Sequence, residues 1–225
     1  MKKTVKKSEQ GGSEQEAFRL HISPSILAAD FGNLNADMAT IAPLVDSWHV
    51  DIMDGHFVPN LSFGPPVAKC IKTPLPLEFH LMVDNPNQYY WSAKDAGASM
   101  LFVHAEMLFD SLGTFDVIRG LGMKAGIAIN PDTPLEDIEF MLPFADEILF
   151  MCVYPGFGGQ SFMPEVLPKI KACRELYPNA IISVDGGINA STGVYARAAG
   201  ANKLISGTYI FGAKDRKAAI DLMRL

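Results

Sequence analysis

His49-Val50-Asp51-Ile52-Met53-Asp54-Gly55-His56-Phe57-Val58-Pro59-Asn60 reads as a buried strand running into a loop that contains glycine and proline. Successive strand side chains point to opposite faces, so His49 and Asp51 share a face at the end of the strand. An imidazole and a carboxylate at that spacing make half of a divalent-metal site. Glu78-Phe79-His80-Leu81-Met82 and Val184-Asp185-Gly186-Gly187 repeat the theme, with a second His and a second Asp at the ends of other apolar runs. Reactive side chains recurring at strand ends are the pattern from which the fold follows.

Outward from this stretch, short apolar runs alternate with amphipathic ones. Strands are predicted at 21–26, 47–53, 77–83, 99–104, 124–129, 148–153, 180–185 and 203–206. Helical patterns lie between them, at 33–45, 65–72, 86–96, 110–121, 134–142, 164–176, 190–199 and 213–225. Asn85-Pro86, Asp132-Thr133-Pro134 and Asn189-Ala190-Ser191 are helix-start sequences. Gly97, Gly122 and Gly200 stand where helix C-caps belong, just before the next strand. Eight strand–helix units without long inserts predict a single (β/α)8 TIM barrel over residues 20–225, with the helices outside. An open doubly wound sheet fits six units better, and no GxGxxG follows the first strand.

Composition bounds the function. At 225 residues and 48% hydrophobic, the chain can bury one full core. A net charge of −6 argues against nucleic acid or an anionic membrane as partner. An anionic small molecule stays open, because backbone N–H groups can bind it without a basic cluster. Cys70, Cys152 and Cys173 are odd in number and lack a CxxC pair, which points to a reducing, cytoplasmic setting. The uncharged run Ile148–Pro164 contains Pro155 and three glycines, so it reads as strand plus loop rather than a membrane span. Residues 1–19 offer little to bury and no signal-peptide core, and are expected to form a disordered tail.

A barrel places its chemistry at the C-terminal ends of its strands. His49, Asp51, His80 and Asp185 all fall there, and together they suit one divalent ion such as Zn²⁺, Fe²⁺, Mn²⁺ or Co²⁺. The alternative is four unrelated rim residues, each satisfied by a neighbour. His21 opens the first strand at the opposite end and reads as structural. His104 ends the fourth strand and fits a hydrogen-bonded rim residue better than a substrate contact. His56 lies in a loop.

A second constellation is rich in glycine. Tyr154-Pro155-Gly156-Phe157-Gly158-Gly159-Gln160-Ser161-Phe162 follows the sixth strand, Asp185-Gly186-Gly187 the seventh, and Ser206-Gly207-Thr208 the eighth. Glycines let backbone N–H groups approach an anion closely, and barrels often bind phosphate at the loops after strands seven and eight.

These motifs, together with Ser23-Pro24-Ser25-Ile26-Leu27 and His80-Leu81-Met82-Val83, closely resemble those of the ribulose-phosphate 3-epimerase family from about Ile22 to the C-terminus. The resemblance implies an isomerase of the pentose phosphate pathway that inverts C3 of a ketose phosphate, D-ribulose 5-phosphate to D-xylulose 5-phosphate. It implies metal ligands at His49, Asp51, His80 and Asp185, and proton transfer by Asp51 and Asp185 through an enediolate. Substrate contacts would fall at Ser25, His80, Gly156, Phe157, Gly158, Gly159, Asp185, Gly186, Gly187, Gly207 and Thr208. Met53, Met82 and Met151 would line the reacting centre, although core packing explains a methionine equally well. A divalent metal, no organic cofactor and a homo-oligomer complete the implied picture. Tyr154 departs from the Asn, Glu or His usual before Pro-Gly-Phe-Gly-Gly, which bears on which sugar phosphate fits.

Three other readings compete. A barrel decarboxylase would need Asp-x-Lys-x-x-Asp at a strand end, where this chain has Glu78-Phe79-His80-Leu81-Met82. An epimerase of a six-carbon ketose phosphate such as D-allulose 6-phosphate stays open. So does a non-catalytic phosphate- or metal-binding barrel, against which the paired Asp51 and Asp185 argue.

Overall fold

A computed structural model describes residues 19–108 and 110–225. Residues 1–18 of the expected tail therefore lie outside the described residues. The strands are β1 (His21–Ser23), β2 (Trp48–Met53), β3 (Leu77–Met82), β4 (Ala98–His104), β5 (Lys124–Ile129), β6 (Glu147–Met151), β7 (Ile182–Asp185) and β8 (Lys203–Ile205). All neighbours pair in parallel, in the order β1-β8-β7-β6-β5-β4-β3-β2. The ring closes where Asp46 N–H and His49 N–H donate to Ile22 O and Pro24 O, at 2.9 and 3.0 Å, beside a parallel bridge from Ser25 to His49. This is the TIM barrel that the alternating pattern predicts.

Where elements are shorter than expected, proline supplies the reason. β1 stops at Ser23 because Pro24 has no N–H for the ladder. The first long helical pattern ends early as α1 (Leu34–Ala39), and a 3₁₀ turn at Ala42–Leu44 carries Pro43. Pro143 likewise leaves a helix at Leu135–Ile138 followed by a 3₁₀ turn at Leu142–Phe144. A short helix at Thr208–Phe211 was not expected, and the C-terminal helix begins at Arg216, where the Asp215 carboxylate accepts Ala218 N–H at 2.9 Å.

The alternation of each strand divides the molecule into two regions. Outward residues such as Trp48, Val50, Phe79, Leu101, Ile127, Phe150 and Val184 pack under the helices in the main apolar core. Inward residues fill the barrel. At the N-terminal end, the floor, Lys203 lies 2.6 Å from Glu78 Oε1 and 3.0 Å from Glu147 Oε1, and all three are buried. Phe102, Leu149 and Ile205 form an apolar middle layer above them. Phe102 fits because position 126 is glycine: a Cβ there would meet its ring at 2.3 Å. Above that layer the inward positions are His49, Asp51, His80 and Asp185. Among the described residues, no helix is long and apolar enough to cross a membrane.

Candidate functional site

The four side chains at the mouth come from β2, β3 and β7, and the parallel register sets Asp51 opposite His80. One ligand-type atom from each of His49, Asp51, His80 and Asp185 lies within 4.8 Å of all the others. His49 Nε2 is 3.4 Å from Asp51 Oδ1 and 3.7 Å from Asp185 Oδ2. His80 Nδ1 is 3.1 Å from Asp51 Oδ1 and 4.0 Å from Asp185 Oδ2. Ser25 Oγ donates to Asp51 Oδ2 at 2.5 Å, leaving Oδ1 for the histidines.

Two features suit this cluster to a cation. His49 is wholly buried, yet neither of its ring nitrogens makes a hydrogen bond. Buried polar atoms left without a partner are rare and call for an explanation. Two imidazoles with two carboxylates are also a donor set for a borderline divalent ion.

The electrostatics separate the two acids. Burial opposes ionisation of Asp51, but the imidazole surroundings, His49 first among them, outweigh that and hold its carboxyl well below the usual range. Burial and the neighbouring Asp51 carboxylate push Asp185 up to about 7. One acid is thus held ionised and the other titrates around neutral pH, a few ångströms apart. Burial also lowers His80 to about 3, against the pull of Asp51. For His49 burial works the same way, but Asp51 and Asp185 win and raise it.

A cavity of about 600 Å³ opens above the cluster. Its wall includes Ser25, Asp51, Asp185, Met53, Met82 and Met151, and further out Gly156, Phe157, Gly158, Gly159, Gly186, Gly187, Gly207 and Thr208. The three glycine loops, distant in sequence, therefore meet on one wall. Gly186 and Gly187 turn with φ of +106° and +64°, and a Cβ on Gly187 would strike the Phe162 backbone nitrogen at 2.4 Å, so this approach of two loops requires glycine.

Other expected residues are placed differently. His80 has no exposed surface and sits within the cluster rather than on the cavity wall. His104, also fully buried, sets Nε2 2.9 Å from His80 Nε2 and Nδ1 3.2 Å from Glu106 Oε2, the hydrogen-bonded state expected of it. His56 lies in a turn against Asp54, away from the cluster. Tyr154 turns from the cavity, and its hydroxyl donates to Asp132 at 2.8 Å. Asn60 was not singled out, yet its Nδ2 donates to Gly156 O at 2.7 Å and ties the β2 loop to the glycine loop. Glu106 was also missed. It accepts from Asn130 N–H at 3.0 Å and from the Thr133 hydroxyl. Burial opposes its ionisation, but these bonds and His104 hold it at about 2. The signal was present: Glu106 stands two residues beyond a strand-end histidine.

Comparison with known proteins bears on the same stretch of chain. The model of the ribulose-phosphate 3-epimerase family matches residues 21–211. Ribulose-phosphate 3-epimerase of Mycobacterium leprae is 43% identical, over 90% of this chain and 93% of that protein. The Bacillus subtilis enzyme of the same name is 41% identical, over 91% and 98%. The cytoplasmic isoform from Oryza sativa is 43% identical, over 90% and 92%. Solved structures share the fold at low identity. A tryptophan synthase alpha-subunit variant from Pyrococcus furiosus aligns with a TM-score of 0.67 at 14% identity, covering 92% of this chain and 96% of that one. 3-Hexulose-6-phosphate synthase from Salmonella typhimurium aligns with a TM-score of 0.66 at 15% identity, covering 91% and 97%.

Proposed function

Because the chain belongs to the ribulose-phosphate 3-epimerase family, and is an isomerase of that type, we propose that its mouth interconverts D-ribulose 5-phosphate and D-xylulose 5-phosphate by two-acid proton transfer at C3. Inverting a carbon beside a ketone requires removing its proton from one face and returning a proton to the other. Asp51, held ionised, is the base towards one epimer, while Asp185, near 7, carries the proton delivered to the opposite face. In the reverse direction the two exchange roles. The observation that carries this reading is the pair itself: two carboxyl groups from β2 and β7 on one cavity wall, within one cluster of imidazoles and acids.

His49, Asp51, His80 and Asp185 would hold the divalent cation, which when bound supplies positive charge against the negative charge developing on the enediolate oxygens. The residues around it do the rest. Ser25 orients Asp51 through its 2.5 Å hydrogen bond. Met53, Met82 and Met151 give the cavity an uncharged lining beside the acids, which limits water there. Backbone N–H groups of Gly156–Gly159, Gly186–Gly187 and Gly207–Thr208 suit a phosphate at the far end of the sugar. Binding energy from that remote group orients the ketose, so it raises turnover as well as affinity.

Turnover on ribulose 5-phosphate, allulose 6-phosphate and free ribulose, measured side by side, tests the assignment. The five-carbon phosphate is expected to be the best substrate, with free ribulose on the order of a thousand-fold or more poorer in kcat/KM, since the remote group's binding energy is lost. Comparable efficiency on the free sugar would reduce the glycine loops to turns. Preference for allulose 6-phosphate would move the substrate to six carbons and leave the chemistry standing.

A further inference from the structure

Three side chains form a file leading away from the mouth: the buried His80 and His104, and the half-buried Glu106. We propose that Glu106 and His104 are positioning residues that fix the tautomer of His80, so that its Nδ1 lone pair is presented to the cation; the inference rests on the reading of His80 as a metal ligand.

The argument is one of counting protons. Glu106 Oε1 accepts from both Asn130 N–H and the Thr133 hydroxyl, so the carboxylate acts as an acceptor, and its Oε2 faces His104 Nδ1 at 3.2 Å. An ionised carboxylate has no hydrogen to give, so the hydrogen in that contact belongs to His104 Nδ1. In neutral His104 the Nε2 is then a bare acceptor. It lies 2.9 Å from His80 Nε2, and only one hydrogen fits between two nitrogens at that distance. That hydrogen sits on His80 Nε2, which leaves His80 Nδ1 bare on the side of Asp51, 3.1 Å from its Oδ1.

Two acceptors facing each other at 3.1 Å repel unless a proton or a cation lies near both. The file thus biases His80 towards the form a metal requires, the role that hydrogen-bond partners of metal-bound histidines commonly play. The anchor is rigid. Glu106 is held by the loop after β5, and Lys169 Nζ clamps that loop by donating to Asn130 O, Pro131 O and Thr133 O at 3.0, 2.8 and 2.6 Å.

Glu106→Gln turns this logic round with almost no change of shape. The two donors at Oε1 hold the amide oxygen in that place, so the NH₂ group takes the Oε2 place and faces His104 Nδ1. His104 Nδ1 must then accept, its Nε2 carries the hydrogen, His80 Nε2 accepts in turn, and the hydrogen of His80 moves to Nδ1, where it blocks ligation. Thr133→Val perturbs the same loop but keeps the carboxylate and therefore the tautomer.

The test is competition of each protein with a chelator for Zn²⁺, together with ¹⁵N NMR of the histidine rings in the zinc-loaded wild type. Wild type should show the ring proton of His80 on Nε2. Glu106→Gln should bind Zn²⁺ roughly 10- to 100-fold more weakly, and Thr133→Val should bind within a few-fold of wild type. Full Zn²⁺ affinity in Glu106→Gln would overturn the proposal while leaving the four-ligand site intact, whereas a proton on Nδ1 of His80 in the loaded wild type would overturn the proposal and remove His80 from the ligand set. Equal weakening in Thr133→Val would reduce the file to loop packing. Failure of the wild type to bind any divalent ion would remove the metal reading itself, and this inference with it.

Discussion

The floor and the mouth of the barrel bury ionisable groups on the same strands, but the floor pairs opposite charges within the chain and the mouth does not. Glu78 and His80 are two residues apart on β3, one at each level. At the floor, Lys203 lies between Glu78 and Glu147, and Ser23 Oγ donates to Glu78 Oε2 at 3.1 Å. Among the described residues, no lysine joins the cluster at the mouth. Two acids face two histidines, His49 is left without a hydrogen bond, and the cavity opens beside them. Phe102 stands between the levels, its ring centroid 5.9 Å from Lys203 Nζ below and 5.9 Å from the His49 ring above. A network of opposite charges paired across strands holds the barrel together, whereas acids and imidazoles gathered beside an open cavity are arranged to be finished by a ligand.

Substitutions at the two levels should therefore fail in opposite ways. Asp185→Asn, assayed with metal confirmed bound, should lower epimerisation by roughly 10²–10⁴-fold, as removal of a general acid or base does. Its midpoint in urea should hold steady or rise, because the change removes one of two crowded acids. His80→Ala should reduce metal from about one divalent ion per chain to a small fraction, by elemental analysis, in a barrel that stays folded.

Lys203→Met reverses the pattern. It strands two buried carboxylates and should cost about 3–5 kcal/mol in a denaturant titration, with the chemistry intact in whatever protein remains folded. Unchanged stability would mean that the floor network holds nothing together.

The smallest effect is expected at the floor's outer rim. Burial works against ionisation of Asp46, but Ile22 N–H and Arg224 bind its carboxylate and keep its pKa below the ordinary 3.8. A depressed folded-state pKa contributes stability that is present above the unfolded value and lost as pH falls through the folded one. Asp46→Asn should therefore remove about 1–2 kcal/mol at neutral pH and flatten the loss of stability below about pH 4. An unaltered acid limb would show that the carboxylate is not held this way.

The mouth was the more legible region. His49, Asp51, His80 and Asp185 stand out because strand periodicity puts rare, reactive side chains at strand ends, and the alternation of elements places those ends together. The glycine loops were legible for a related reason, since glycine is conspicuous wherever backbone must come close. The floor was hidden. Glu78, Glu147 and Lys203 look like ordinary surface charges in short strands, and only the closed ring brings residues so far apart in sequence to one point. Glu106 was obscured because its partners, Asn130 and Thr133, lie on the neighbouring loop. Helix ends were blurred where Pro43 and Pro143 convert the last turn to 3₁₀ geometry.

The central claim is that Asp51 and Asp185 serve opposite faces of one carbon. Hydrogen exchange at C3 in D₂O tests it most directly, with metal-loaded Asp51→Asn and Asp185→Asn each given ribulose 5-phosphate and xylulose 5-phosphate separately. Each variant should exchange the C3 hydrogen of one epimer only, the complementary one in the two proteins, while interconversion is lost in both. Interconversion at near wild-type speed in either variant, or exchange of both epimers by a single variant, would contradict the two-acid account.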